Sequence, residues 1–88
     1  MRMVSTAKYR AGEDIGTWVR AVIVNELAIE ERVLKPDARF GHEINSDSLD
    51  LIELELERVF DICISDDDID GIRTVQDMVW YVEGRLPH

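Results

Sequence analysis

A single cysteine, Cys63, stands among the 88 residues, so no intrachain disulfide can brace the fold, and a reducing, cytoplasmic setting is the expectation. Proline is scarce too: Pro36 and Pro87 are the only two, which excludes a Pro-rich linker, and internal repeats and low-complexity tracts are missing as well. No apolar run approaches the roughly 20 residues that span a bilayer, so membrane insertion is not expected. Positive charge is in short supply. Ten Lys and Arg against nineteen Asp and Glu leave a formal net charge of −9, a sign that repels nucleic-acid phosphates and anionic membrane surfaces alike. His42 and His88 lack the spacing of a metal site, and no serine, histidine and acid arrangement is evident, so neither a metal centre nor a catalytic triad is expected. A chain of this length supports one small core that buries only about 60 per cent of the unfolded surface.

What is present is helical periodicity. Residues 1–12, with Arg2, Lys8 and Arg10 and no apolar stretch of the secretory kind, read as a flexible basic extension, and residues 13–88 as the folded domain. Ile15, Trp18, Val19, Val22, Ile23 and Leu27 follow the three-then-four spacing of one helical stripe, with Asp14 as N-cap. From Ala28 to Asp47 the periodicity lapses. Pro36 forbids a continuous helix there, and Val33, Leu34, Phe40 and Ile44 are the expected anchors of a long, pinned loop.

A second helix opens near Ser48. Leu49, Ile52, Leu56, Val59 and Phe60 share one face, Leu51 and Leu54 widen the apolar arc, and Asp50, Glu53, Glu57 and Asp61 take the other side. Ser65 with Asp68 three residues on predicts a short third helix ended by Gly71, and Thr74 with Asp77 repeats the device before a last helix from Val75 to Leu86. The fold class is all-α: a bundle of three main helices and one short one, with a long loop between the first and second.

The segment Asp47-Ser48-Leu49-Asp50-Leu51-Ile52-Glu53-Leu54 resembles the modification motif of acyl carrier proteins, in which Asp-Ser-Leu opens the second helix. The resemblance runs from about Asp14 to Leu86 and includes Phe40 and Ile44 ahead of the serine, the Phe60-Asp61 pair, and Thr74-Val75-Gln76-Asp77 at the start of the last helix. Two features depart from the family pattern. Asn45 and Ser46 replace the usual glycine and small residue, and the stretch from Ser48 to Phe60 is shortened.

The resemblance implies an acyl-carrier-like bundle without catalytic activity, in which Ser48 carries phosphopantetheine between Asp47 and Leu49. Its Oγ would attack the β-phosphate of coenzyme A under a phosphopantetheinyl transferase that brings magnesium, leaving a thiol that holds acyl groups as thioesters. A carboxylate such as Asp47 is too weak a base to ionise an alcohol, so Ser48 should be inert alone. Unpaired N–H groups at the helix start should favour the phosphodiester by about 0.3 to 1 kcal/mol. Asp47 and Asp50 would repel it, which makes a divalent cation during transfer physically sensible.

The same resemblance implies a monomer delivering cargo to ketosynthase, acyltransferase and reductase-type enzymes of fatty-acid or polyketide-type biosynthesis, the acidic second helix favouring these over peptide synthesis. Asp47, Asp50, Glu53 and Glu57 are the docking candidates, and electrostatic attraction to a basic patch would speed encounter more than deepen affinity. Leu54, Ile62, Ile69 and Ile72 are the candidates for lining an acyl pocket. Trp18, Trp80 and Cys63 are expected to pack inside. The competing motif is calcium binding: Asp66, Asp68, Asp70, Gly71 and Asp77 match ligand positions and the glycine of an EF-hand loop. Arg73 at an apolar position and Asp in place of the final Glu weigh against it.

Overall fold

The computed structural model describes residues 8–86. Four helices follow in order: α1 (Ile15–Leu27), α2 (Asp47–Phe60), α3 (Asp66–Asp70) and α4 (Val75–Arg85). Asp14 caps α1 by accepting from the Thr17 N–H at 2.8 Å and the Thr17 hydroxyl at 2.6 Å; these bonds to the ionised form hold its carboxyl below the usual range. The helix buries Gly16, Val19, Val22 and Ile23 and packs against both α2 and α4. A Cβ at Gly16 would lie 3.2 Å from the flexible Arg20 guanidinium and in ordinary contact with Val79 of α4 at 3.7 Å.

The long loop contains one 3₁₀ turn, Glu31–Val33, and is sewn to the start of α4 through its backbone. Phe40 N–H donates to the Arg73 carbonyl at 2.9 Å, Val75 N–H to Ala38 at 3.1 Å and Gln76 N–H to Pro36 at 2.9 Å. Leu34 and Ile44 anchor the loop as expected, but Val33 faces solvent and Ala38 is the third buried anchor. At the amino end, Tyr9 donates its N–H to the Val59 carbonyl at 3.0 Å and its ring lies 5.0 Å from that of Phe60. Of the extension expected over residues 1–12, only the part from Lys8 lies within the described residues.

Ser65 caps α3 by accepting from Asp68 N–H at 3.1 Å. Thr74 and Asp77 form a reciprocal capping box on α4. The core is one cluster centred on Val19, Ile23, Ile52, Leu56, Met78 and Val82. Among the described residues no helix is long and apolar enough to cross a membrane. Two inward placements are corrected. Trp80 is 62% exposed, because the buried stripe of α4 runs through Val75, Met78, Val79 and Val82. Cys63 is exposed as well, and Ile64 is the buried residue of that run.

Candidate functional site at the start of helix two

The turn entering α2 is built by Asn45. Its side-chain oxygen accepts from Asp47 N–H at 2.8 Å, its carbonyl accepts from Ser48 N–H at 3.0 Å, and the Ser46 carbonyl accepts from Leu49 N–H at 3.1 Å. The expected row of unpaired donors is therefore absent at Asp47, Ser48 and Leu49: a tight turn satisfies them, as often happens at helix ends. What remains for an anion is the dipole, and Asp47 and Asp50 already occupy that first turn.

Ser48 sits on the second residue of α2, half-buried, between the exposed Asp47 and the half-buried Leu49, and Leu49 packs against the core. Leu49 thus ties the first turn down while Asp47 and Ser48 reach the surface. No His or other base joins the acids around this serine in the sequence, so the site can present a hydroxyl but not activate it.

The two sides of α2 differ from expectation. Glu57 accepts from Ile64 N–H at 2.8 Å and so ties α2 to the segment before α3. Glu53 is half-buried on the same side; burial first, then the charges of Glu57, Asp50 and Asp66, push its carboxyl above the usual range. Of the four docking candidates, Asp47 and Asp50 stand in solvent, whereas Glu53 and Glu57 turn toward α3. Leu54 is 61% and Leu51 52% exposed. Ile52 and Leu56, fully buried, lie two residues either side of Leu54 and hence about 200° round the helix from it. Leu54 is thereby removed from any interior pocket. Of the other pocket candidates, Ile62 and Ile69 are half-buried against the core and Ile72 is buried.

The residues of the EF-hand spacing lie partly in a helix. Residues 66–70 wind into α3, which sends Asp66, Asp68 and Asp70 to alternating sides, and the Asp77 carboxylate accepts from Thr74 and Arg73 N–H groups. No group of three or more His, Cys, Asp and Glu able to hold a metal ion occurs among the described residues. One polar cluster went unread in the sequence. Tyr81 donates its hydroxyl to Asp68 at 2.7 Å, with Arg85 beside the same oxygen. Tyr81 and Arg85 stand four apart, a visible helical pair, but Asp68, thirteen residues back, carried no signal.

A family model described as a phosphopantetheine attachment site matches residues 17–82, from the first turn of α1 to the last turn of α4. A relative named acyl carrier protein, from Helicobacter hepaticus (strain ATCC 51449 / 3B1), is 43% identical over 67 residues, covering 74% of this chain and 88% of its own length. The chain belongs to the acyl carrier protein family. It is a non-catalytic carrier that takes covalent phosphopantetheine and works with a transferase and biosynthetic enzymes. The local chemistry is compatible with that group: the half-buried Ser48 hydroxyl in the first turn of α2 could take it through a single bond. The carrier's own contribution is presentation.

Proposed function

We propose that Ser48 is the residue modified with phosphopantetheine and that the attached thiol carries acyl intermediates between enzymes of fatty-acid or polyketide-type biosynthesis. The observation that carries this reading is the place of Ser48, half-buried in the first turn of α2 between Asp47 and Leu49. In the transfer, Ser48 Oγ forms a bond to the β-phosphorus of coenzyme A as the pyrophosphate bond breaks, the adenosine bisphosphate portion leaves, and the hydroxyl proton passes to a base of the transferase. Asp47 and Asp50 raise the negative potential there, so a magnesium ion brought with the transferase has a clear electrostatic role.

Docking then uses the outward ridge of α2. Asp47 and Asp50 supply charge, and Leu51 and Leu54, exposed one turn apart, supply an apolar centre, so the fitting partner has a basic rim around an apolar slot. The lone cysteine supports work in a reducing cytoplasm, and the carrier acts as a monomer. Incubation with coenzyme A, magnesium and a permissive phosphopantetheinyl transferase should add one phosphopantetheinyl mass to the wild type and to Ser46→Ala, and none to Ser48→Ala. An unmodified wild type, or a modified Ser48→Ala, would sink the assignment.

A further inference from the structure

Helix α3 is thinly held. Four of its five residues are aspartates and none is buried, and no helix packs extensively against it. Ile69 rests half-buried on the core, with buried Ile64 and Ile72 just outside the two ends. A helix of one turn has no intrinsic stability to hold it in place. Its electrostatic setting opposes closure, because Asp66 bears on Glu53 of α2, where Glu57 and Asp50 already add charge of the same sign.

One cluster works the other way. The Tyr81 hydroxyl donates to Asp68 Oδ2 at 2.7 Å, Arg85 Nη1 lies 3.8 Å from the same oxygen, and the Arg85 guanidinium stands 5.9 Å from the centre of the Tyr81 ring. Two side chains on the rigid α4 thus grip one carboxylate on the loose α3. A hydrogen bond to a carboxylate is among the stronger ones available to a protein.

We propose that Tyr81 is a positioning residue that latches α3, and that α3 is a flap that swings out and takes Ile69 off the core when the Tyr81–Asp68 hydrogen bond breaks. Arg85 keeps Asp68 within reach for reclosure. The non-helical stretches on either side of α3, residues 61–65 and 71–74, take up the movement, while α1, α2 and α4 stay packed. Opening uncovers apolar side chains beside Ile62 and Ile69 without unfolding the domain. The use of that opening by an acyl chain rests on the carrier reading; the latch itself does not.

Native-state hydrogen exchange on the full, unmodified chain tests this. The amides of Ile69, Gly71 and Ile72 donate to the carbonyls of Ser65, Asp68 and Ile69 respectively and report on α3. Tyr81→Phe keeps the ring and removes the hydroxyl. Exchange at these amides should rise about tenfold, the size expected for losing one hydrogen bond to a charged acceptor, while α1 and α2 amides keep their wild-type rates. In an Asp68→Ala background the same substitution should change nothing, because the acceptor is already gone. Equal acceleration in both backgrounds, acceleration spread across α1 and α2, or no acceleration would each overturn the latch. The protein tested is unmodified, so that failure would leave the Ser48 assignment standing, and loss of modification at Ser48 would leave the latch standing.

Discussion

Helices α1 and α3 open with the same device, a side-chain oxygen accepting from the third residue beyond it, Asp14 to Thr17 and Ser65 to Asp68, yet they are held in opposite ways. α1 buries Val19 and Ile23 completely and touches both other long helices. α3 has no fully buried residue; the half-buried Ile69 and the Tyr81 and Arg85 contacts to Asp68 hold it. A cap decides where a helix begins; burial decides whether it stays. Ser48 belongs to the firmly held side, on a helix whose interior face is packed at Ile52 and Leu56, and this suits the role proposed for its hydroxyl.

The contrast between held and loose faces is sharpest within α2, and the largest effect is expected there. Leu56→Ala removes a completely buried side chain and should cost about 2 to 5 kcal/mol, enough to unfold much of a domain this small near physiological temperature. Leu54→Ala should change stability by no more than about 0.5 kcal/mol and instead weaken association with partner enzymes. Thermal denaturation of the two variants measures the difference, and similar losses for both would mean that the outward ridge is misassigned.

The capping comparison comes next in size. Thr74→Ala breaks the reciprocal box on α4, an element of the core, and should lower global stability by about 1 kcal/mol. Ser65→Ala breaks the equivalent cap on α3 and should leave the global unfolding midpoint nearly unchanged, raising hydrogen exchange at the α3 reporters Ile69, Gly71 and Ile72 while α1 and α2 keep their rates. A global loss from Ser65→Ala matching that from Thr74→Ala would erase the distinction between the two helices.

The helices and their caps were legible because both signals are local: apolar spacing over a dozen residues, and an oxygen-bearing side chain three residues before an acid. Asp14 ahead of an apolar stripe, and Ser65 and Thr74 each three residues before an acid, fell to such reading, whereas the Asp47-Ser48-Leu49 triplet entered through the family resemblance. The orientation of α2 did not. Leu51 and Leu54 lengthen the apolar arc in the sequence, and only packing against α1 decides that Ile52 and Leu56 go inward. Asn45 stood out as a departure from the family pattern, and its chemistry, a strong helix-capping side chain, is what shapes the entry to Ser48. The stitching of the loop to α4 joins Phe40 to Arg73 and Pro36 to Gln76, pairings across more than thirty residues that no local pattern encodes.

The smallest effect separates the two sides of α2 by pH. Glu53 on the α3 side has its carboxyl raised, chiefly by burial and then by Glu57, Asp50 and Asp66. An acid raised in the folded state keeps its proton longer there than in the unfolded chain. Stability therefore falls as pH rises from the ordinary carboxyl range through the raised value, and above it the ionised group remains a fixed cost. Tyr81 obeys the same sign at the alkaline end: burial and the bond to Asp68 push its phenol up from 10.0 to about 12, so stability should fall again across that interval. Asp14 and Glu43 are lowered, mainly by accepted hydrogen bonds, and lose their contribution as pH falls, so the wild-type curve mixes both signs. The difference between wild type and Glu53→Gln isolates one of them. The variant should be slightly more stable at neutral pH, and the gain should vanish well below the ordinary carboxyl range, where both states are protonated. Chemical denaturation at the two pH values measures it; a variant less stable at neutral pH, or a gain that persists in acid, would show that Glu53 is not crowded against α3 as the flap requires.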